Sequence, residues 1–475
     1  MQETRGSWLV LVAMTGSLSM IMLDQTVVSV ALPAMSDELP LSPTGQQWVI
    51  NAYVLATAAL VALGGKLGDR FGGVTTFRIG VTVFFLASLG CGMAPNGPWG
   101  ETWIIAARVL QGAGGALMMP ASAAIVTNTF PVSSRGRAMA VYAGISQVFL
   151  AVGPLVGGVL TETVSWRAVF YLNVPVGIAA LVLVHVAKPD NTRSRDAGID
   201  MRSVLMLVTG MAATVLGVQQ ASRWGWASPA TLLCLGGGIA LTAVFVLIQL
   251  RAQRPLVDVR LFARPAFSGN AVVLGLVQFG LLAVVLYGSL YLQDVLGLSP
   301  MAAGLGVLPL ILPVTVAAQL GGRWYDRAGV RAPVLTGLGF ATVGVAAWAA
   351  ALPFLGYALQ VPGMLLTGFG IGLVMSPANT DALGRVSRRE RSQASGLVQT
   401  VRQVGGTLGV AVIGAVVLGL AHEGTGAASQ EAANAITVGF VLGAVVFAVA
   451  LVVGVRLLPR TRVTDEDASQ AMPLA

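Results

Sequence analysis

One eight-residue pattern occurs twice in this sequence: residues 65–72 read GKLGDRFG and residues 322–329 read GRWYDRAG. Both segments follow a long apolar stretch, and both have the form G-[KR]-x-x-D-R-x-G. Similarity between distant parts of one chain is typical of a duplicated bundle, and membrane folds built from two parallel repeats are well known. The repeat therefore predicts two related halves, each with a charged loop at the same place.

The composition argues strongly against a soluble fold. Of the 475 residues, 55% are hydrophobic and only 10% are charged, whereas about 25% of the residues of a soluble domain are charged. Apolar stretches of about 18 to 25 residues recur along the chain, and each is long enough to cross a bilayer as a helix. The first stretch is not a signal peptide, because a signal has an apolar region of only about 7 to 15 residues.

Apolar stretches and their flanking charges predict an all-α integral membrane protein with fourteen spans. The predicted spans are 8–32, 46–64, 76–94, 102–124, 138–160, 168–187, 202–220, 229–250, 267–292, 301–321, 333–352, 357–380, 395–420 and 434–457. An even number of spans predicts that both termini lie on one side of the membrane.

The basic residues predict which side that is. All but four of the 28 Lys and Arg residues lie at the N-terminus, in alternate loops or after the last span, and the four exceptions are Arg108, Arg167, Arg223 and Arg402. The positive-inside rule therefore predicts cytoplasmic termini. This topology also explains the net charge of +8 without a nucleic-acid partner. The excess of Arg over Lys, with abundant Gly, Ala and Val, favours a bacterial source and hence the inner membrane.

If the second and tenth spans correspond through the repeat, each half has six spans. We expect an N-terminal six-helix bundle at residues 1–187 and a C-terminal six-helix bundle at 267–457. Residues 188–266 then hold cytoplasmic linkers and an inserted pair, the seventh and eighth spans. Residues 458–475 are expected to form a disordered cytoplasmic tail, because they are polar and terminal.

The sequence offers no catalytic or metal-binding pattern. Its two Cys and two His residues are far apart, which predicts neither a disulfide framework nor a metal site. It has no phosphate-binding GxxxxGK[ST] segment. We therefore expect no enzyme activity and no cofactor. Any movement of solute is expected to use an ion gradient or the gradient of the solute itself.

Asp24 lies within the first predicted span. A charged side chain in the bilayer costs about 2.5–3.5 kcal/mol on insertion scales, so an acid there suggests a function. Burial disfavours the ionised carboxylate, and we expect Asp24 to load and unload a proton near neutral pH or to recognise a cation. The alternative is a structural carboxyl group that Ser or Thr neighbours hold, or one that lies near water.

Arg108 lies within the fourth span and must likewise face a cavity or a partner. We expect it to sense the protonation of Asp24 or of a substrate, although it could simply bind helix carbonyls. Gln111 lies one turn further along and can share the same face of the helix.

Residues 152–158 read VGPLVGG, within the fifth span. Pro154 removes a backbone donor, and Gly153, Gly157 and Gly158 allow another helix to approach closely. We expect these residues to form a packing site between helices, although such patterns are common in membrane proteins.

The two repeated loops carry Asp69 with Arg70 and Asp326 with Arg327. We expect their charges to bind the ends of neighbouring helices, to hold one conformation and to release it when the two halves rock. Anchoring by positive charge alone is the simpler alternative.

The C-terminal half has one charged residue well inside a span, Arg402. We expect the central cavity to be largely apolar and to have a few polar side chains. The expected polar residues are Gln111, Gln278, Gln319, Asn379 and Arg402. Such a cavity suits hydrophobic molecules.

Together these segments resemble the major facilitator superfamily, and in detail its fourteen-span drug:proton antiporter family 2. The motifs that carry the resemblance are LDQTVVSVALP (23–33), GKLGDRFG (65–72), RVLQGAGG (108–115), VGPLVGG (152–158), SWRAVFYLNVPVG (165–177), YLQDVLGLSPMAAGLGVLP (291–309) and VRQVGGTLG (401–409). The match covers nearly the whole chain and indicates no particular substrate.

The resemblance implies proton-driven export of hydrophobic, often cationic, drugs or of a self-made antibiotic. It assigns proton coupling to Asp24 with Arg108, and gating to Asp69 and Arg70. The resemblance also assigns bundle packing to Gly153, Pro154 and Gly157. The chain departs from the family where Gly73 and Val74 replace basic residues and where Phe149 replaces a Gly.

We therefore predict a proton-coupled exporter that works by alternating access as a monomer in the bilayer, with protons and a hydrophobic or cationic small molecule as its partners. The first alternative is export of a native lipid, siderophore or other metabolite by the same fold. The second is a membrane sensor that transports nothing.

Overall fold

The computed structural model describes residues 5–191, 200–252, 255, 257–298, 300–387, 390–421 and 428–461. This part of the chain consists of α-helices with short connections and has no β-strand. The sixteen α-helices are α1 Arg5–Glu38, α2 Pro43–Phe71, α3 Gly73–Gly92, α4 Gly100–Thr129, α5 Arg135–Thr163, α6 Trp166–Tyr171, α7 Asn173–Ala187, α8 Met201–Trp224, α9 Pro229–Arg251, α10 Pro265–Leu290, α11 Pro300–Gly306, α12 Leu308–Ala328, α13 Arg331–Ala351, α14 Tyr357–Gly384, α15 Arg391–Ala421 and α16 Ala428–Leu457.

Local sequence explains where several helices begin and end. Ser42 caps α2, because its hydroxyl accepts a hydrogen bond from the Gly45 amide, and Pro43 occupies the first helical position, where the missing N–H costs nothing. The last glycine of each repeated loop ends a helix. Gly72 after α2 has φ 93° and Gly329 after α12 has φ 78°, a region that disfavours residues with a Cβ atom.

Twelve helices of the described part are long and apolar enough to cross a membrane, and the bent helix α5 would make thirteen. The predicted total of fourteen spans is therefore not confirmed. The remaining predicted span, 301–321, corresponds to α11 and α12, which the break before Leu308 separates. Helix α12 carries Gln319, two glycines and Arg323, so it is less apolar than the other spans.

The helices pack as two bundles. In the first, α1 packs on α5 and α7, and α4 packs on α2 and α3; in the second, α10 packs on α15 and α16, and α14 packs on α12 and α13. Helices α8 and α9 pack on each other, and α8 also contacts α2 and α15. The residue limits given above for the bundles stay predictions. The expected disordered tail lies almost wholly outside the described residues.

The two bundles meet along two pairs of helices, α2 with α15 and α5 with α12. The loops after α2 and α12 both lie at one end of the molecule, which we call the D-R end. The outer surface is apolar: on α9, for example, Leu233 is 74% exposed and Ile239 58%. A monomeric protein in water rarely exposes such a large apolar surface. In a bilayer, lipid chains cover it.

Candidate functional site

Asp24 and Arg108 form a buried ion pair between α1 and α4. Arg108 Nη1 lies 2.5 Å from Asp24 Oδ2, and the residues are 0% and 1% exposed. Arg108 Nε donates to the carbonyl oxygen of Val49 on α2 at 2.8 Å. A buried charge is tolerated when it is paired and hydrogen-bonded, which explains how both charges lie inside the first bundle.

Two amide side chains complete the network around Asp24. Gln111 Nε2 donates to Asp24 Oδ1 at 2.8 Å, and its Oε1 accepts from Arg108 at 2.8 Å. Asn173 Nδ2 on α7 donates to Asp24 Oδ1 at 3.4 Å and to Ser88 Oγ on α3 at 2.9 Å. The structure therefore brings Asp24, Arg108 and Gln111 together as the sequence suggested. Gln111 joins this network and does not line the cavity described below. Asn173 also belongs to this network, although the sequence analysis of its segment, SWRAVFYLNVPVG, did not predict it.

Tyr53 on α2 lies between the ion pair and a cavity. The Arg108 guanidinium carbon is 4.4 Å from the centre of the Tyr53 ring, a distance typical of a cation–π contact. Tyr53 also contributes to the cavity wall, but its residue is only 1% exposed. Asp24 and Arg108 are not part of that wall. Tyr53 thus covers Arg108 of the ion pair, and no sequence feature distinguishes it from an aromatic residue that only packs.

The cavity has a volume of about 390 Å³ and lies between the two bundles, within the size range of small-molecule sites. Its walls come from α1, α2, α4 and α5 on one side, from α10 and α15 on the other, and from the region of α8. The polar or aromatic residues of the wall are Gln25, Asn51, Tyr53, Thr57, Trp226, Gln278, Tyr287, Gln399, Arg402, Gln403 and Thr407.

Arg402 and Gln278, two of the polar residues expected at a cavity, lie in this wall and are hydrogen-bonded to each other. Arg402 Nε and Nη2 donate to Gln278 Oε1 at 3.3 and 3.0 Å, and Nη1 donates to Gln399 Oε1 at 3.0 Å. Gln319 and Asn379, the other two residues expected there, are half-buried and do not line the cavity. Gln319 lies on α12 beside Gly144 of α5, where the bundles meet.

Asp69 joins α2 to α15 at the D-R end. Its Oδ1 and Oδ2 accept hydrogen bonds from the backbone amides of Ser392 and Gln393, each at 3.1 Å. These amides belong to the first turn of α15, where no intrahelical acceptor exists and where the helix dipole favours a negative charge. A carboxylate of the first bundle thus caps a helix of the second.

Asp326 makes the corresponding contact in the other direction. Its Oδ1 and Oδ2 accept from the amides of Gly136 at 3.0 Å and Arg137 at 3.2 Å, in the first turn of α5. The first glycine of each repeat permits the approach: a Cβ atom at Gly65 would lie 2.6 Å from the Ser392 carbonyl oxygen, and one at Gly322 would collide with the Gly136 carbonyl oxygen.

Among the described residues, neither Arg70 nor Arg327 makes a hydrogen bond or ion pair across the interface. Arg70 is half-buried and its guanidinium carbon lies 5.4 Å from the centre of the Phe71 ring. Arg327 is exposed. Further contacts close the same end, since Arg391 Nη1 on α15 donates to Asn128 Oδ1 on α4 at 2.6 Å and Ser376 Oγ on α14 donates to the Gly136 carbonyl at 3.3 Å.

The VGPLVGG segment packs on α1 through two of its glycines. A Cβ atom at Gly157 would lie 2.9 Å from Val27 Cγ2 and 3.0 Å from the Val27 carbonyl oxygen, and one at Gly153 would collide with Thr26 Oγ1. A Cβ atom at Gly158 would meet nothing within 4 Å, so this position does not face α1. Pro154 lies within α5, and its surroundings are outside what the structure describes. Phe149 is 40% exposed and leaves the α1 contact undisturbed.

Known proteins resemble the chain in both sequence and fold. The family described as Major Facilitator Superfamily matches residues 14–410. Puromycin resistance protein pur8 of Streptomyces alboniger is 34% identical over 98% of this chain and 94% of its own length. The tetracenomycin C resistance and export protein of Streptomyces glaucescens is 33% identical over 86% of this chain and 75% of its own length.

A solved structure shares the fold. A double tryptophan mutant of XylE superposes with a TM-score of 0.67 and 16% identity over 98% of each chain. With the helical architecture and the sequence relatives, this likeness confirms the fold expected from the motifs. The chain belongs to the Major Facilitator Superfamily, and it is a multi-pass membrane transporter, not an enzyme.

Proposed function

We propose that this chain is a proton-coupled exporter of hydrophobic small molecules across the bacterial inner membrane. The observation that carries the proposal is the Asp24–Arg108 pair, which is fully buried and contacts Tyr53, a residue of the cavity wall. The names of the relatives support it, because two of them are named for resistance to puromycin and for resistance to and export of tetracenomycin C.

The pair supplies a plausible coupling step. Protonation of Asp24 removes its charge and frees Arg108, which keeps its bonds to the Val49 carbonyl and to Gln111. Separating a buried pair while both charges remain costs about 3–5 kcal/mol, so α1 and α4 move apart more readily after protonation. In the proposed cycle a proton loads Asp24 from outside and leaves towards the inside when substrate binds.

The arrangement of the basic loops supports an orientation with the D-R end and both termini in the cytoplasm. In that orientation the cavity lies in the outer half, because its walls use the later part of α1 and the earlier part of α2. Asp69 and Asp326, each capping a helix of the opposite bundle, then hold the cytoplasmic end closed. Opening to the cytoplasm requires both contacts to break, with the monomer as the working unit.

The proton gradient is an adequate driving force for this cycle. Each charge that crosses the membrane contributes about 2.3 kcal/mol per 100 mV, and each pH unit contributes about 1.4 kcal/mol. One proton can therefore sustain a concentration ratio of about a hundredfold or more.

Purified protein in liposomes tests the proposal. An acidic liposome interior should drive uptake of at least one amphiphilic dye from a panel of N-phenyl-1-naphthylamine, 8-anilino-1-naphthalenesulfonate and ethidium. Asp24→Asn should abolish the gradient-driven part, while Asp37→Asn, an exposed acid at the opposite end from the D-R loops, should leave it intact. Uptake that is unchanged in Asp24→Asn would refute coupling through this residue.

A further inference from the structure

The described wall of the cavity carries a positive charge and no negative charge. Arg402 is the only charged side chain among the described residues of its wall, and its other polar residues are neutral amides, hydroxyls and aromatic rings. Asp24 is paired with Arg108 and does not reach the wall. A ligand in this cavity therefore meets a positive charge and no negative one.

Arg402 is held in place but not neutralised. Its three hydrogen bonds go to the amide oxygens of Gln278 and Gln399, and none of the ion pairs between described residues includes it. A guanidinium group has five N–H donors in a planar fork, so two remain for a ligand. The two glutamines orient the fork, which lowers the entropic cost of binding a partner.

An uncompensated cation within a membrane protein is costly and normally acquires a partner. Here the partner that would satisfy it is an anionic group on the bound molecule, because carboxylates, sulfonates and phenolates accept charge-assisted hydrogen bonds from guanidinium. A cationic ligand would instead meet repulsion from Arg402 in surroundings that screen charge weakly.

The rest of the wall suits an apolar body attached to that group. Met22, Leu282 and Val410 supply apolar surface, and Trp226 and Tyr287 supply aromatic faces. Such a wall, with a few polar groups that fix orientation, is typical of sites for amphiphilic small molecules.

We propose that the substrate of this transporter is an anionic amphiphile, an apolar or aromatic molecule with one acidic group that Arg402 binds. This rests on the proposed export function and replaces the cationic cargo expected from the family resemblance with an acidic one. The acidic group belongs either to a small soluble molecule or to a lipid headgroup.

Three probes separate charge from shape. The anion 8-anilino-1-naphthalenesulfonate and the neutral N-phenyl-1-naphthylamine share one ring skeleton and differ by the sulfonate, and tetraphenylphosphonium is a cation of similar size. Their binding to the protein in phosphatidylcholine nanodiscs is measured against empty nanodiscs. We expect the sulfonate to bind more tightly than its neutral analogue and tetraphenylphosphonium to compete weakly or not at all.

Variants then assign the selectivity to Arg402. Arg402→Gln should weaken sulfonate binding at least about tenfold, the effect of one charged hydrogen bond, and leave the neutral analogue unchanged. Arg402→Lys should retain most of the preference. Arg78→Gln, which removes an exposed charge on α3, is the matched control. The wild-type comparison of the three probes needs no variant and stands even if Arg402→Gln does not fold.

The outcomes separate this inference from the proposed function. Binding needs no pH gradient, so a preference for tetraphenylphosphonium, or sulfonate binding that is equal in Arg402→Gln, overturns the anion site whatever the liposome assay shows. Loss of proton-driven uptake with intact anion selectivity overturns only the coupling. Displacement of the sulfonate by phosphatidylglycerol in the nanodiscs supports the site and identifies a lipid as its ligand, and no displacement supports a soluble acid.

Discussion

Asp69 and Asp326 occupy equivalent positions in the two repeats, and each carboxylate caps the first turn of a helix in the opposite bundle. Asp69 accepts from the amides of Ser392 and Gln393, and Asp326 from those of Gly136 and Arg137. The repeated sequence therefore marks a pair of reciprocal contacts across the interface. Both contacts join the two bundles at the D-R end, and we expect their loss to be measurable as opening of that end.

We expect Asp69→Asn to shift the protein towards a conformation that is open at the D-R end. Asparagine keeps one acceptor oxygen but loses the charge that favours the helix N-terminus, at a cost of about 1.4 kcal/mol or more, which changes the ratio of closed to open molecules about tenfold. Spin labels at Arg78 and Arg323, exposed residues of α3 and α12, report the change as a longer distance.

Asp326→Asn should act in the same direction, and the double variant should open further, because the two contacts are independent and equivalent. Asp37→Asn provides the control for loss of an acid elsewhere. A label distance that stays the same in all three variants would show that the carboxylates do not hold this end closed.

Arg108→Gln and Asp24→Asn should each lower thermal stability. Each substitution leaves the other charge of the buried pair without its partner, at a cost of about 3–5 kcal/mol. The double variant should recover part of the loss, which the double-mutant cycle quantifies. Melting curves of the four proteins measure this. Single variants that melt at the wild-type temperature would contradict the pairing.

Tyr53 should control access to the ion pair from the cavity. Tyr53→Phe keeps the ring over Arg108 and removes only the hydroxyl group, so transport and stability should change little. Tyr53→Ala opens a path between the cavity and Asp24, and we expect proton leakage without substrate. A pH-sensitive dye inside liposomes records the leak. Identical leak rates for the two variants would exclude Tyr53 as a barrier.

Gly157→Ala and Gly158→Ala form a matched pair within one segment. A Cβ at position 157 would press on Val27 from 2.9 Å and 3.0 Å, whereas one at position 158 meets nothing within 4 Å. Overpacking of this kind costs about 1–3 kcal/mol, so Gly157→Ala should lower the melting temperature and slow transport while Gly158→Ala is neutral. Equal effects of both substitutions would contradict the observed α1–α5 contact.

Most helices could be predicted because lipid imposes a simple rule on sequence. A span must be long and apolar, so charges and turn residues mark its ends, as Ser42 with Pro43 and Gly72 do for α2. The predicted total of fourteen spans is not confirmed, because α12 is not apolar enough to meet this rule. Helix α12 faces the first bundle along much of its length, and a helix that faces protein tolerates Gln319 and paired glycines that lower its apolar character.

Only part of the candidate site could be predicted from the sequence. Asp24 and Arg108 stood out because a charge within a span needs a partner, and each proved to be the partner of the other. Asn173 and Tyr53 did not stand out, because an amide near a helix start and an aromatic ring in a span are equally common where they only pack. Gln319 and Asn379 were expected at the cavity because they are polar. The polarity of a residue, however, does not show which side of its helix faces the cavity.

The sequence by itself determined the family and the duplicated loops, through its motifs. It also determined most of the helices and the need for buried charges to be paired, because lipid requires long apolar spans and disfavours unpaired charge. Only the tertiary structure decided which groups meet across the bundles: Asp69 with the first turn of α15, Tyr53 over Arg108, and Arg402 with two neutral glutamines. These contacts join residues from different helices, and their geometry depends on how whole helices pack, which no local pattern of residues specifies.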